Sequence, residues 1–211
     1  YAAFFGSIKI FKFLLNVAEL TEKTAKNAIK GGNYEIIHLC EEYKIKFPPK
    51  CLKLAIRFHH NEIVDYLIET FSFSFDVDTT ISSIQYYNWE IISRCIPAFL
   101  YPNPNLKIDN YTALSTAAVN GYLDIVEILC SLKNIDINEE TEGWNAIMFA
   151  ALKGHVYIIE YFMSHFKSVD MGNIDINDDE KKDSCEILIE EEEEEEEEAK
   201  ELFFISPKTN K

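Results

Sequence analysis

Apolar residues along this chain recur as an adjacent pair followed three positions later by a third, and the grouping returns at near-regular intervals. The groups are Ile10-Phe11-Leu14, Ile36-Ile37-Cys40, Ile63-Val64-Leu67, Ile91-Ile92-Cys95, Ile125-Val126-Leu129 and Ile158-Ile159-Phe162. That spacing puts three side chains on one side of an α-helix, so each group predicts an amphipathic helix. Eight residues before each group stands a small residue, in order Ala2, Ala28, Ala55, Ser83, Ala117 and Ala150. A small side chain lets another backbone approach closely, so each group predicts a preceding helix packed against a neighbour. Between the two helices lie Gly6, Gly32, His59, Tyr87, Gly121 and Gly154. Glycine there takes the left-handed conformation that ends a helix without a Cβ penalty. One such helix pair cannot bury its stripe alone, so the pairs must stack.

The six small residues are 26, 27, 28, 34 and 33 positions apart. The last two units match most closely: Asn110-Tyr111-Thr112-Ala113-Leu114 is answered by Gly143-Trp144-Asn145-Ala146-Ile147, and Ala117-Ala118 by Ala150-Ala151, each pair 33 residues apart. A turn, a small-residue helix, a glycine and a second apolar helix at this period resemble the ankyrin repeat. The short upstream units resemble the degenerate ankyrin arrays abundant in parasitic protists. The resemblance covers residues 1–170 and implies an all-α, helix-turn-helix solenoid of about six stacked repeats, divergent over 1–100 and standard over 101–170.

It also implies a protein-binding scaffold without catalysis. Ankyrin units present their finger tips and the exposed side of the first helix on a concave face. By place in the pattern, Asp109, Tyr111, Asn120, Glu142, Trp144 and Lys153 are the expected protein-binding residues. Tyr111 and Trp144, on equivalent fingers, are the expected exposed anchors. His155, after the turn glycine, is expected to be a structural hydrogen-bonding residue.

Local departures carry their own expectations. Relative to the downstream units, residues 20–100 lack about six residues per unit, roughly a finger, so stubby fingers are expected there. His59 and Tyr87 stand where glycine is preferred, and their turns are expected to be rebuilt. Asn33, Asn61 and Asn88 are expected to cap the second helices. Pro48-Pro49 marks a break between units. Phe71 to Asp78 alternates apolar and polar residues, which predicts a small extended finger.

The charge changes the picture only at the end of the chain. Of the formal −16, residues 170–211 carry 17 acidic and 5 basic side chains, net −12, including the unbroken run Glu190 to Glu198. Residues 171–211 therefore read as an acidic, disordered low-complexity tail. Ile187-Leu188-Ile189 is a candidate cover for the last repeat, and Leu202 to Lys208 a candidate docking peptide. The tail offers an alternative function, engagement of basic proteins. A third alternative makes the chain the substrate-binding portion of a larger enzyme, because it opens inside a repeat and further repeats or a cap are expected before Tyr1.

Candidate chemistry is sparse. Cys40 and Cys95 occupy the apolar stripe, where a thiol behaves as a small hydrophobe, and Cys51, Cys130 and Cys185 share no ligand spacing with a histidine pair. His59-His60 lacks a third ligand nearby. No phosphate-binding glycine loop, nucleophile elbow or metalloprotease motif occurs, so no cofactor or metal is expected. No membrane span or leader is expected, which points to the cytoplasm or nucleus. Nucleic acid is not an expected direct partner, for want of a basic stripe against the net charge.

Overall fold

The structure is a computed structural model that describes residues 1–18, 20–108, 111–141 and 143–167. The expectations placed on the acidic tail, on Ile187 to Ile189 and on the terminal peptide lie outside these residues. Compactness divides the chain into Tyr1–Asp170 and Met171–Lys211, and the architecture below is that of the first part.

Eleven α-helices occur among the described residues: α1 (Ile8–Leu14), α2 (Glu22–Gly31), α3 (Tyr34–Glu42), α4 (Lys50–Arg57), α5 (Asn61–Phe71), α6 (Val77–Gln85), α7 (Trp89–Cys95), α8 (Ala113–Val119), α9 (Leu123–Cys130), α10 (Ala146–Leu152) and α11 (Val156–His165). Helices α2, α4, α6, α8 and α10 are the first helices of units 2 to 6. Each packs on its own second helix, and the first helices pack side by side in one row from α2 to α10. The chain thus forms the all-α helical repeat read from its periodicity.

The columns predicted to hold the stack are buried where units stand on both sides. Ala28, Ala55, Ser83, Ala117 and Ala150 are all fully buried, which is what a row of closely approaching first helices requires. The stripes Ile36-Ile37-Cys40, Ile63-Val64-Leu67, Ile91-Ile92-Cys95 and Ile125-Val126-Leu129 are buried throughout. Unit 1 departs from expectation: Phe11 is buried, but Ile10 is 57% exposed and Ala2 and Leu14 are half-buried. Among the described residues no further helix pair packs on that side to cover them.

The core falls into two clusters that meet in unit 4. Ile91 and Cys95 join the upstream cluster, while Ile84, Ile92 and Ile96 join the downstream one. Between them α6 buries Thr79, Thr80, Ser82 and Ser83. A buried hydroxyl must find an acceptor; Thr80 donates to the Asp76 carbonyl (2.7 Å) and Ser83 to the Thr80 carbonyl (2.7 Å). Beyond α7 a π-helical turn, Ile96–Leu100, buries Leu100 at the start of the longest unit.

Strands are confined to the downstream part. β1 (Lys107–Ile108) pairs antiparallel with β2 (Tyr111–Thr112), and Thr141 bridges Trp144 in the next unit. No strand is found among the described residues of the shorter units. The alternation at Phe71–Asp78 does not make an extended finger: α5 runs through Phe71, and Asp76 already caps α6 with its carboxylate on the Thr79 N–H (2.7 Å). The reciprocal bond from Asp76 N–H to Thr79 Oγ1 (2.7 Å) completes a capping box, and helix start outweighs strand propensity there.

Candidate functional site

The six turns that lead into the second helices follow one rule regardless of residue, although before Gly6 the chain forms turns and not the expected first helix. Gly6, Gly32, His59, Tyr87, Gly121 and Gly154 all have φ between 51° and 80°. The turns at His59 and Tyr87 are therefore not rebuilt, contrary to expectation. What differs is the side chain that the next unit lays over each turn. A Cβ on Gly32 would lie 2.6 Å from the His60 ring, and one on Gly121 would lie 2.7 Å from the His155 ring, so an imidazole above requires glycine below. Above Tyr87 lies Tyr122, ring centroids 4.8 Å apart, and the Tyr87 hydroxyl donates to Asp124. That packing offsets a left-handed cost of about 1–2 kcal/mol for a residue with a Cβ.

The overlying residues tie each unit to the one before it. His60 Nε2–H donates to the Lys30 carbonyl (3.0 Å), Asn88 Nδ2 to Ile56 (2.9 Å), Tyr122 Oη to Gln85 (3.2 Å) and His155 Nε2–H to Val119 (2.9 Å). The acceptors are carbonyls in the last turn of the first helices, where intrahelical partners run out, and that of Ile56 also accepts from the His59 N–H (3.1 Å). His155 thus has the structural role expected of it. His59 reaches the other way, its Nε2–H donating to Tyr86 O at 2.9 Å, so the adjacent histidines serve opposite neighbours. Asn33 and Asn88 cap their helices by accepting from Ile36 and Ile91 N–H (3.1 and 3.5 Å). Asn61 does not cap. It is already the first residue of α5, accepts from Asn88 Nδ2 (2.8 Å) and donates to Glu90 (2.8 Å).

The expected binding residues separate into three groups. Tyr111 and Trp144 are only 8% and 5% exposed, so they are not the exposed anchors expected from their place on the fingers. Phe149 draws them in, with ring centroids 5.6 and 5.8 Å away. Asn120 and Lys153 are half-buried at the ends of α8 and α10, and Asn120 Nδ2 donates to the Thr116 carbonyl (2.8 Å). Asp109 and Glu142 lie outside the described residues.

Fingers are also joined to each other. Asn105 donates to the Asn134 carbonyl (3.0 Å) and accepts from the Asp136 N–H (2.9 Å), and Lys107 pairs with Glu139 and donates to the Glu140 carbonyl (2.7 Å).

Sequence reasoning missed a basic face. Lys23, Lys26 and Lys30 on α2 recur as Lys50, Lys53 and Arg57 on α4, 27 residues later in the same columns. The expectation that no basic stripe exists fails locally, and the signal for it was the repeat register itself.

The cysteines are packing residues. Cys40, Cys51 and Cys95 are fully buried, and burial pushes the thiols of Cys40, Cys51 and Cys130 up to about 12. Among the described residues no three His, Cys, Asp or Glu side chains cluster to hold a metal ion, and no helix is long and apolar enough to cross a membrane.

Residues 15–95 match the model of a domain of unknown function, DUF3447. Residues 85–179 match the model described as ankyrin repeats (3 copies). The two matches meet in unit 4, where the two core clusters also meet. Ankyrin repeats generally mediate protein–protein interaction. With its stacked helix pairs, left-handed turns and paired fingers, the chain is an ankyrin repeat protein.

Proposed function

We propose that this chain is a non-catalytic protein-binding scaffold of the cytoplasm or nucleus, with its partner lying along the finger tips and first-helix ends. One observation carries the reading. The small and apolar columns that hold the stack keep one chemistry from unit to unit, whereas the column three residues after each buried small residue runs Gly31, Phe58, Tyr86, Asn120, Lys153, half-buried in every case. Side chains that differ at equivalent, solvent-reaching places supply specificity without disturbing the stack. On this reading Asn120 and Lys153 touch the partner together with Asp109 and Glu142, while Tyr111 and Trp144 support the fingers from beneath. The test is affinity capture with the full chain, followed by dissociation constants for Asn120→Arg and Lys153→Glu. Binding at least tenfold weaker with unchanged thermal midpoints is expected, and retained affinity in both variants rejects this face.

The charge of residues 170–211 favours a second reading, in which the acidic tail speeds encounter with basic proteins. Nine consecutive glutamates set up a field that acts over about 8 Å at physiological salt. Replacing the nine by glutamine should slow association with a basic partner at low salt and leave it unchanged at high salt.

A further inference from the structure

The two faces of a repeat unit are distinguished by what the outermost units leave uncovered. In units 2 to 6 the first residue of the apolar stripe, Ile36, Ile63, Ile91, Ile125 or Ile158, is at most 2% exposed. Unit 1, which among the described residues has no neighbour on its leading side, has Ile10 at that place, 57% exposed. This column is therefore covered by the preceding unit. The second residue of the stripe behaves oppositely: Phe11, Ile37, Val64, Ile92 and Val126 are buried, and Ile159 of unit 6 is half-buried. Four residues further on, Leu15, Glu41, Ile68, Ile96 and Cys130 are buried or half-buried, whereas Met163 is 65% exposed. Those two columns are covered by the following unit. Unit 1 thus presents the leading half of a unit-to-unit junction, and unit 6 presents the trailing half.

The polar positions of the junction match as well. The residue just before each stripe is reached from the preceding unit: Lys12 donates to Glu35 (2.7 Å), Asn61 to Glu90 (2.8 Å) and the Tyr87 hydroxyl to Asp124. Unit 1 has the exposed Lys9 at that place. Lys12 stands two residues after the first stripe residue, where unit 6 has the exposed Glu160. Seating unit 1 on unit 6 in the array's own register therefore sets Lys9 opposite Glu160, the Glu35 and Lys12 pair with its charges exchanged. The turn agrees. Asn33 lies over the turn at Gly6, His60 over Gly32 and His155 over Gly121, while a Cβ on Gly154 meets nothing within 4 Å among the described residues. The residue that the register places above Gly154 is Ser7, a small side chain.

From these two half-junctions we infer that unit 1 of one copy of this chain docks on unit 6 of a second copy, so that copies join head to tail. Register and charge both select that occupant. The surface that fits Ile10, Lys9 and Ser7 together is the trailing face of a helix pair, and unit 6 supplies one with the opposite charge. Helix α1 carries Lys9 and Lys12 and no carboxylate, so two α1 faces packed on each other would bring like charges together. A head-to-tail contact joins two different patches and leaves one of each open at the ends of the pair, so association does not close and grows with concentration. The contact uses α1, α11 and the Gly154 turn and does not depend on the partner face proposed above.

The test is sedimentation velocity of the full chain from about 1 to 300 µM in about 0.3 M salt, which screens the repulsion between copies of net charge −16. The expected result is an average mass that keeps rising past that of a dimer. Ile10→Asp and Met163→Asp, both at exposed positions, should each be monomeric alone, and their equimolar mixture should form a dimer and nothing larger, because one variant keeps its trailing face and the other its leading face. Lys9→Glu should weaken association at least threefold, and Lys9→Glu with Glu160→Lys in one chain should restore it. Circular dichroism and the thermal midpoint report whether the aspartate variants keep their fold; should either lose it, the charge exchange decides alone. A monomer at every concentration, self-association of Met163→Asp or of Ile10→Asp, no dimer in the mixture, or no restoration by the charge exchange overturns the inference. Failure of Asn120→Arg and Lys153→Glu to weaken capture of a partner leaves it standing.

Discussion

Units 2 and 3 pass from one helix pair to the next through short connections, whereas units 5 and 6 interpose a finger, and the same helix positions end up exposed in one region and buried in the other. Lys26 and Lys53 reach solvent where Ser115 and Met148 do not. Yet the first-helix row, the left-handed turns and the bonds from each overlying side chain to the preceding unit continue through both regions. The comparison teaches that the stack is held by the helices and their turns, and that fingers are a cover added to a scaffold already complete without them. Nearest-neighbour packing explains why this works: each unit needs only the faces of its immediate neighbours.

The largest expected effect separates the regions. Trp144 is buried against Phe149 in the finger part, so Trp144→Ala should cost about 3 kcal/mol by loss of a buried aromatic. Hydrogen exchange should quicken first in α10 and α11 and leave α2 to α5 protected. Even loss across the array would mean that the two regions unfold as one and that the fingers are part of the scaffold.

Overpacking tests what the regions share. Ala55 and Ala117 are both fully buried in the first-helix row, and leucine at either should lower stability by about 1–3 kcal/mol. Chemical denaturation of Ala55→Leu and Ala117→Leu should show similar losses. A loss confined to Ala117→Leu would mean that the short units pack more loosely than the long ones.

A smaller effect distinguishes turns within the set. Gly121 and Gly154 both have positive φ, 80° and 75°, but a Cβ on Gly121 meets the His155 ring while one on Gly154 meets nothing within 4 Å among the described residues. Alanine at either costs about 1 kcal/mol or more for the left-handed backbone, and Gly121→Ala should cost about 1 kcal/mol beyond that, because His155 must leave the Val119 carbonyl. Gly32→Ala under His60 should behave like Gly121→Ala. Equal thermal midpoints for Gly121→Ala and Gly154→Ala would show that the imidazole yields freely and that the unit-to-unit bond adds little.

The sequence by itself determined the repeat: the number of units, the small column, the apolar stripes and the place of the turn that leads into each second helix. These are local properties, because a helix's burial pattern is written into its own period. The expected rebuilding of the turns at His59 and Tyr87 failed for the complementary reason. Whether a residue with a Cβ is accepted there depends on what the next unit lays over it, Asn88 or Tyr122 rather than an imidazole. The same holds for the candidate site. The column positions of Asn120 and Lys153 were legible, but the inward turn of Tyr111 and Trp144 was set by Phe149. Periodicity states which side of a helix faces its neighbours, and only the assembled stack decides which neighbour is there and how much of that side it covers.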